Sequence, residues 1–177
     1  MSSAFIAQSR EYLAVEYLKK IEAAIAPLST EQLWWRANDA SNSIGNLILH
    51  LAGNVRQWIV GGVGGVEVTR DRAREFATRE TLPAATLVVE LRRAVKGACD
   101  VLDRLDPATL DDRRQIQRFD TTVLGAIYHV VEHFSMHTGQ IILLAKMQTG
   151  KDAGFYRLRA DGTPAPTWTE TRPFETE

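Results

Sequence analysis

The segment between Asp120-Thr121 and Gly150 limits how this chain folds more than any other. Asp and Thr are good helix N-caps, and Gly is a common helix stop. No proline lies between them. The spacing predicts one helix running to about Gln148, on the order of 40 Å long at about 1.5 Å per residue. Leu124, Ile127, Val131, Ile142 and Ala145 share one face, whereas Met136, Ile141 and Leu144 lie towards the opposite one. A helix that is apolar on most sides is buried on most sides. This helix is therefore expected at the centre of the fold, touching two other helices, with a second subunit on its far face.

Three of the chain's 4 histidines, His129, His133 and His137, recur at four-residue steps along this helix. Side chains at that spacing share a face, with Cβ atoms about 6 Å apart. Two such imidazoles can chelate one ion. Three are harder to use together, because His129 and His137 lie about 12 Å apart along the axis. One ion is expected to take an adjacent pair, and His133 belongs to both pairs. The third ligand must come from another helix, and His50 is the only histidine left. No Lys or Arg interrupts the face that carries His129, His133, Met136, His137, Gln140 and Leu144, as a solvated face normally would.

Three further helices follow from periodicity. Phe5, Ile6, Leu13, Tyr17, Leu18, Ile21 and Ile25 predict a first helix over 3–26, stopped by Pro27. Ser29 and Gln32 have capping-box spacing for a short helical turn, with Trp34 and Trp35 as a core plug. Asn42-Ser43 caps a second helix with a clean stripe of Ile44, Leu47, Ile48, Leu51, Val55, Trp58 and Ile59. Asn46, His50 and Asn54 form a polar seam along its edge. The Gly61–Gly65 run reads as a helix stop and flexible loop, not a phosphate loop. A long, polar connection of mixed charge from Thr69 to Thr81 reads as a solvated face. The third helix begins near Thr81, carries Leu87, Leu91, Val95 and Leu102 on its stripe, and ends at Pro107. Gln115–Phe119 is expected to be a short extended piece. Phe155, Tyr156 and Trp168 are expected to tie the tail, about 151–177, against the helices.

The expected fold is all-α: a four-helix bundle forming a single domain over 1–177, with a long connection between helices 2 and 3. Formal net charge is −1, which favours neither nucleic acid nor an anionic membrane. No apolar run approaches the roughly 18 residues a membrane span needs. The first residues lack the pattern of a signal peptide. The single Cys99 excludes an internal disulfide and a Cys-rich metal site, reads as a buried inert thiol, and fits a cytoplasmic location.

The ordered motifs Ser43-Ile-Gly-Asn-Leu-Ile-Leu-His50-Leu-Ala-Gly-Asn and His129-Val-Val-Glu-His133-Phe-Ser-Met-His137-Thr-Gly-Gln-Ile strongly resemble the DinB-like (DinB/YfiT) superfamily. The closing Gly154-Phe-Tyr resembles one of its uncharacterised bacterial branches, and the likeness spans roughly residues 5–156. The resemblance implies helices arranged up-down-down-up, frequent homodimers, and a divalent nickel or zinc ion on three histidines. By position these match His50, His133 and His137, which leaves His129 as a neighbour. It also implies relatives that are thiol-dependent S-transferases and isomerases using low-molecular-weight thiols.

Three neutral imidazoles leave a divalent ion with an open position, the pattern of catalytic rather than structural zinc. The leading expectation is a metal- and thiol-dependent transferase acting on a small-molecule substrate. Asn46, Asn54 and Gln140 are candidates to orient a ligand or a histidine. The alternatives are a metal-dependent hydrolase and a non-catalytic metal-binding stress or interaction protein. Glu132 is the nearest acidic residue in sequence, but it points away from His133, which weakens the hydrolase.

Overall fold

The computed structural model describes residues 2–79 and 81–167. Most of this chain is helical, and two short antiparallel hairpins interrupt the all-α expectation. The first long segment comprises α1 (Ser2–Glu11), a π-helical stretch (Tyr12–Tyr17) and α2 (Leu18–Ile25). The short α3 (Thr30–Trp34) follows, and Ser29 and Gln32 form the expected capping box. Trp34 plugs the core, with its indole N–H donating to the Leu82 carbonyl, whereas Trp35 stays exposed.

The second long segment is α4 (Ile44–Val55), continued by a π-helical stretch (Arg56–Val63). Ser43 caps it through a second capping box with Asn46. The helix thus runs into the glycine run expected to stop it, because wider π turns carry the chain through Gly61 and Gly62. The connection that follows contains α5 (Arg72–Ala77), capped by the Asp71 side chain. The third segment, α6 (Ala84–Leu102), begins at Pro83 and ends earlier than expected. A 3-10 turn (Pro107–Asp111) then leads into β1 (Arg113–Ile116) and β2 (Phe119–Thr122). These pair as a hairpin where a short extended piece was expected. The central helix, α7 (Val123–Thr149), is capped by Thr122 and stopped by Gly150 in the left-handed conformation. A second hairpin, β3 (Tyr156–Leu158) with β4 (Pro164–Pro166), closes the described chain. Phe155 packs on the core and Ala165 is buried, while Trp168 lies outside the described residues.

Helix α7 packs against α2, α4 and both π-helical stretches, and α6 packs against α4 and α2. Leu18, Ile48, Leu51, Leu91, Ile127 and Phe134 meet in one core with no exposure. Each such side chain contributes about 1.5–3 kcal/mol by leaving water. This packing fixes the facing surfaces of α4 and α7, and the histidines lie between those surfaces. Among the described residues no helix is long and apolar enough to cross a membrane.

Candidate metal centre

Helix α4 supplies His50 and α7 supplies His133 and His137. Each offers a ring nitrogen, and the three nitrogens lie within 4.8 Å of one another. His50 and His137 are buried, and His133 is half-buried. The Nε2 atoms of His50 and His133 face each other at 3.1 Å. Nitrogens at zinc-bond distances of about 2.0–2.1 Å stand about 3.3 Å apart at a tetrahedral angle. Three imidazole nitrogens around one point suit a divalent first-row cation.

Neighbours fix two of the three rings. His50 Nδ1 lies 2.9 Å from Glu75 Oε2 and 3.1 Å from Arg70 Nη2; the carboxylate can only accept, so the ring pairs with it as Nδ1–H, which leaves Nε2 free as a ligand atom. His137 Nδ1–H donates to Gln140 Oε1 at 2.7 Å, with the same consequence. His133 Nδ1 is buried without a hydrogen bond. Burial, reinforced by His137, His50, His129 and Arg70, pushes the His133 imidazole down to about 3. Burial also lowers His137, against an opposing hydrogen bond from Gln140. Uncharged rings are the form in which histidine binds metal.

Glu75 is the residue that the sequence did not disclose. The charged connection expected to be a solvated face folds back over α4 and buries its key pair. The Arg70 and Glu75 side chains are only 5% and 11% exposed. Arg70 Nε and Nη2 donate to the two Glu75 oxygens, each at 2.7 Å, and Nη1 donates to Gln57 Oε1 at 2.8 Å. Burial alone would raise the Glu75 carboxyl, but hydrogen bonds from Arg70 and His50 outweigh it and hold the group below its usual range. Gly53 makes this approach possible. A Cβ there would collide with Glu75 Oε1 and come within 2.8 Å of Arg70 Nε.

Asn46 does not touch a histidine. Its amide donates to the carbonyls of Glu75 (2.8 Å) and Thr78 (3.1 Å), and its oxygen accepts from Arg36. It therefore holds the backbone that carries Glu75. Asn54 Nδ2 lies 3.4 Å from His129 Nε2, and its Oδ1 is buried without a partner. His129 stands apart from the cluster, packed on Trp58 with ring centroids 4.2 Å apart and 5.5 Å from the His133 ring. Burial lowers its basicity, opposed by Glu132. Glu132 itself faces a different groove, beside Tyr17 and Ser135.

His50 and His133 border a cavity of about 380 Å³. Trp58 and Phe119 form one wall, and Gln117 at the turn between β1 and β2 reaches the same space. Gln117 has a left-handed backbone (φ 58°), uncommon for a residue with a side chain. Its amide donates to Gln57 Oε1 at 2.6 Å, so Gln57 joins the hairpin tip to Arg70. The π-helical stretch carries both Gln57 and Trp58, and such widened turns recur at functional sites.

A mainly helical frame brings three histidines from two helices together, two of them at the edge of a cavity, and solved structures of DinB-like proteins share that frame. One is a DinB-like protein from Bacillus cereus, with a TM-score of 0.64 at 17% identity over 82% of this chain and 91% of that one. Another is a conserved protein from Enterococcus faecalis, with a TM-score of 0.64 at 15% identity over 85% of this chain and 96% of that one. No curated protein matches the chain. Residues 1–158 match the family described as protein of unknown function DUF1572, and the chain belongs to that DinB-like family.

Proposed function

We propose that this chain is a metal-dependent enzyme, an S-transferase-like protein that uses a low-molecular-weight thiol and a nickel or zinc ion held by His50, His133 and His137. The observation that carries this reading is the position of the histidines. Two of them, His50 and His133, border an open cavity while His137 is buried behind them, so a cation held by the three would keep one side open, as a catalytic cation requires. A bound cation would supply Lewis acidity and lower the pKa of a thiol or water brought to it. Glu75 and Gln140 hold the two outer rings in the ligating tautomer. Arg70 offsets the Glu75 charge, and Trp58 with Phe119 screens one side from water.

No carboxylate lines the cavity among the described residues, which disfavours acid–base hydrolysis by Asp or Glu. His129 borders the same space, and it is the one observation that favours the hydrolase as a second reading. We also read the four long helical segments as one domain over 1–177, a four-helix bundle in up-down-down-up order, located in the cytoplasm and working as a homodimer. The exposed apolar side chains Leu124, Tyr128, Met136, Leu143 and Met147 on α7 support the dimer.

The test offers a halogenated nitroaromatic to the metal-loaded protein with bacillithiol, mycothiol or glutathione. Sulfur forms the new C–S bond as halide leaves, and the thiol proton passes to solvent. Conjugation that depends on the metal and on one of these thiols is expected. Ester or amide turnover without thiol would replace this reading with hydrolysis. A metal-loaded protein inert in every assay would point to a binding protein.

A further inference from the structure

The cavity beside the histidines has a charge pattern that the metal reading leaves unused. Two guanidinium groups border it, those of Arg70 and Arg72, and among the described residues no carboxylate side chain does. They are not equivalent. Arg70 is neutralised by its two-pronged pair with Glu75. Among the described residues Arg72 has no acidic partner. Its guanidinium lies over the face of Phe76, 5.0 Å from guanidinium carbon to ring centroid. Phe76 also packs on His50 at 4.5 Å, so the unpaired cation is anchored on a ring that touches the histidine cluster.

A second observation points to a ligand. Asn54 is 4% exposed, borders the same cavity, and keeps its Oδ1 buried without a hydrogen bond. An unmatched buried acceptor costs about 1–3 kcal/mol unless something donates to it. The third feature is Phe119. It is 60% exposed at the start of β2 and tilted against Trp58 with centroids 6.0 Å apart. An exposed aromatic beside a buried one offers a flat apolar surface at the cavity wall.

We infer that this cavity binds a small carboxylate that also carries a hydroxyl or amino donor and a flat apolar portion. Arg72 takes the carboxylate, Asn54 Oδ1 accepts from the donor, and the Trp58–Phe119 wall receives the apolar part. This deepens the proposed function by assigning a substrate class to the same site, and it rests on that reading only for what happens after binding. The anion contact itself belongs to protein side chains.

Mandelate serves as the probe, with mandelamide as its uncharged counterpart and phenylacetate as the form without a hydroxyl. Binding is followed by titration calorimetry on the full chain, both zinc-loaded and stripped of metal. Saturable mandelate binding is expected in both forms. Loss of a charge-assisted contact predicts weakening by about tenfold for mandelamide and for Arg72→Gln, with partial rescue by Arg72→Lys. Phenylacetate is expected to bind more weakly than mandelate, and Asn54→Asp, which places a carboxylate in the cavity, to abolish mandelate binding. Arg104→Gln, in the exposed turn after α6, should leave binding unchanged. Equal affinity for mandelate and mandelamide overturns the inference, as does wild-type affinity in Arg72→Gln or no saturable binding in the millimolar range. If zinc fails to bind while mandelate binding still depends on Arg72, the metal reading falls and this inference stands. If zinc binds and the Arg72 dependence is missing, the reverse holds.

Discussion

Glu75 fixes His50 from the side away from the cluster, with its carboxylate 2.9 Å from Nδ1. Removing an outer partner of this kind typically costs about 10–100-fold in metal affinity. Glu75→Gln keeps the size and loses the charge, so chelator competition should show zinc affinity reduced in that range. An unchanged affinity would mean that His50 is aligned by packing on Phe76 alone. The same residues set a pH dependence for the metal-free protein. The His133 ring sits at about 3 against an ordinary value of 6.5, so the unfolded chain binds a proton there that the folded chain refuses. Stability from this group is fully present above about pH 6.5 and is lost as pH falls towards about 3. The lowered Glu75 group acts in the same direction at the acid end, being stabilising above its unfolded value and lost below it. Urea midpoints measured across this range should fall steadily with acid, and a flat profile would contradict the assignment.

At the scale of elements, the site depends on two segments docked onto α4 and its π-helical continuation. The first is the Arg70–Glu75 connection, which lies over Gly53. Gly53→Ala should displace the ion pair and weaken zinc binding, although alanine favours the helix itself by about 0.5–1 kcal/mol. Wild-type competition against a chelator in this variant would show that the pair has room to move. The second is the β1–β2 hairpin, held where Ile116 packs on Gly62 and Gln117 bonds Gln57. Gln57→Ala should release its tip, seen as faster amide exchange over 113–122 while α7 keeps its protection. Equal protection of the hairpin in both proteins would show that Ile116 suffices.

What the sequence disclosed divides along the same line. The caps at Ser29 and Ser43, the α4 stripe and the stop at Gly150 are local, so spacing and residue type reveal them. Burial of Arg70 and Glu75 depends on a fold-back across a helix, and mixed charge in a connection looks solvated until that contact exists. The one trace was Gly53, a helix-interior glycine with no turn to explain it. The π-helical stretches also escaped, because one extra residue per turn barely disturbs three- and four-residue apolar steps. His129 shows the limit of periodicity at the site. It shares the four-residue spacing of His133 and His137, but its contacts are Trp58 and Asn54.

The whole molecule places this site between α4 and α7 and leaves a different face of α7 uncovered. Leu124, Tyr128, Leu143 and Met147 are exposed over about 35 Å of helix, by the rise per residue. In the proposed homodimer this face is covered by a second copy, and Leu143→Asp with Met147→Asp should yield monomers by sedimentation equilibrium. A wild-type chain that is already monomeric would remove the dimer from the account. The central claim of the proposed function is that His50, His133 and His137 hold one divalent cation. Metal analysis of the purified wild type beside His133→Ala, with circular dichroism to confirm folding, tests it most directly. The account predicts about one ion per chain in the wild type and almost none in the variant. Equal metal in the two proteins, or none in a wild type offered nickel and zinc, would contradict it.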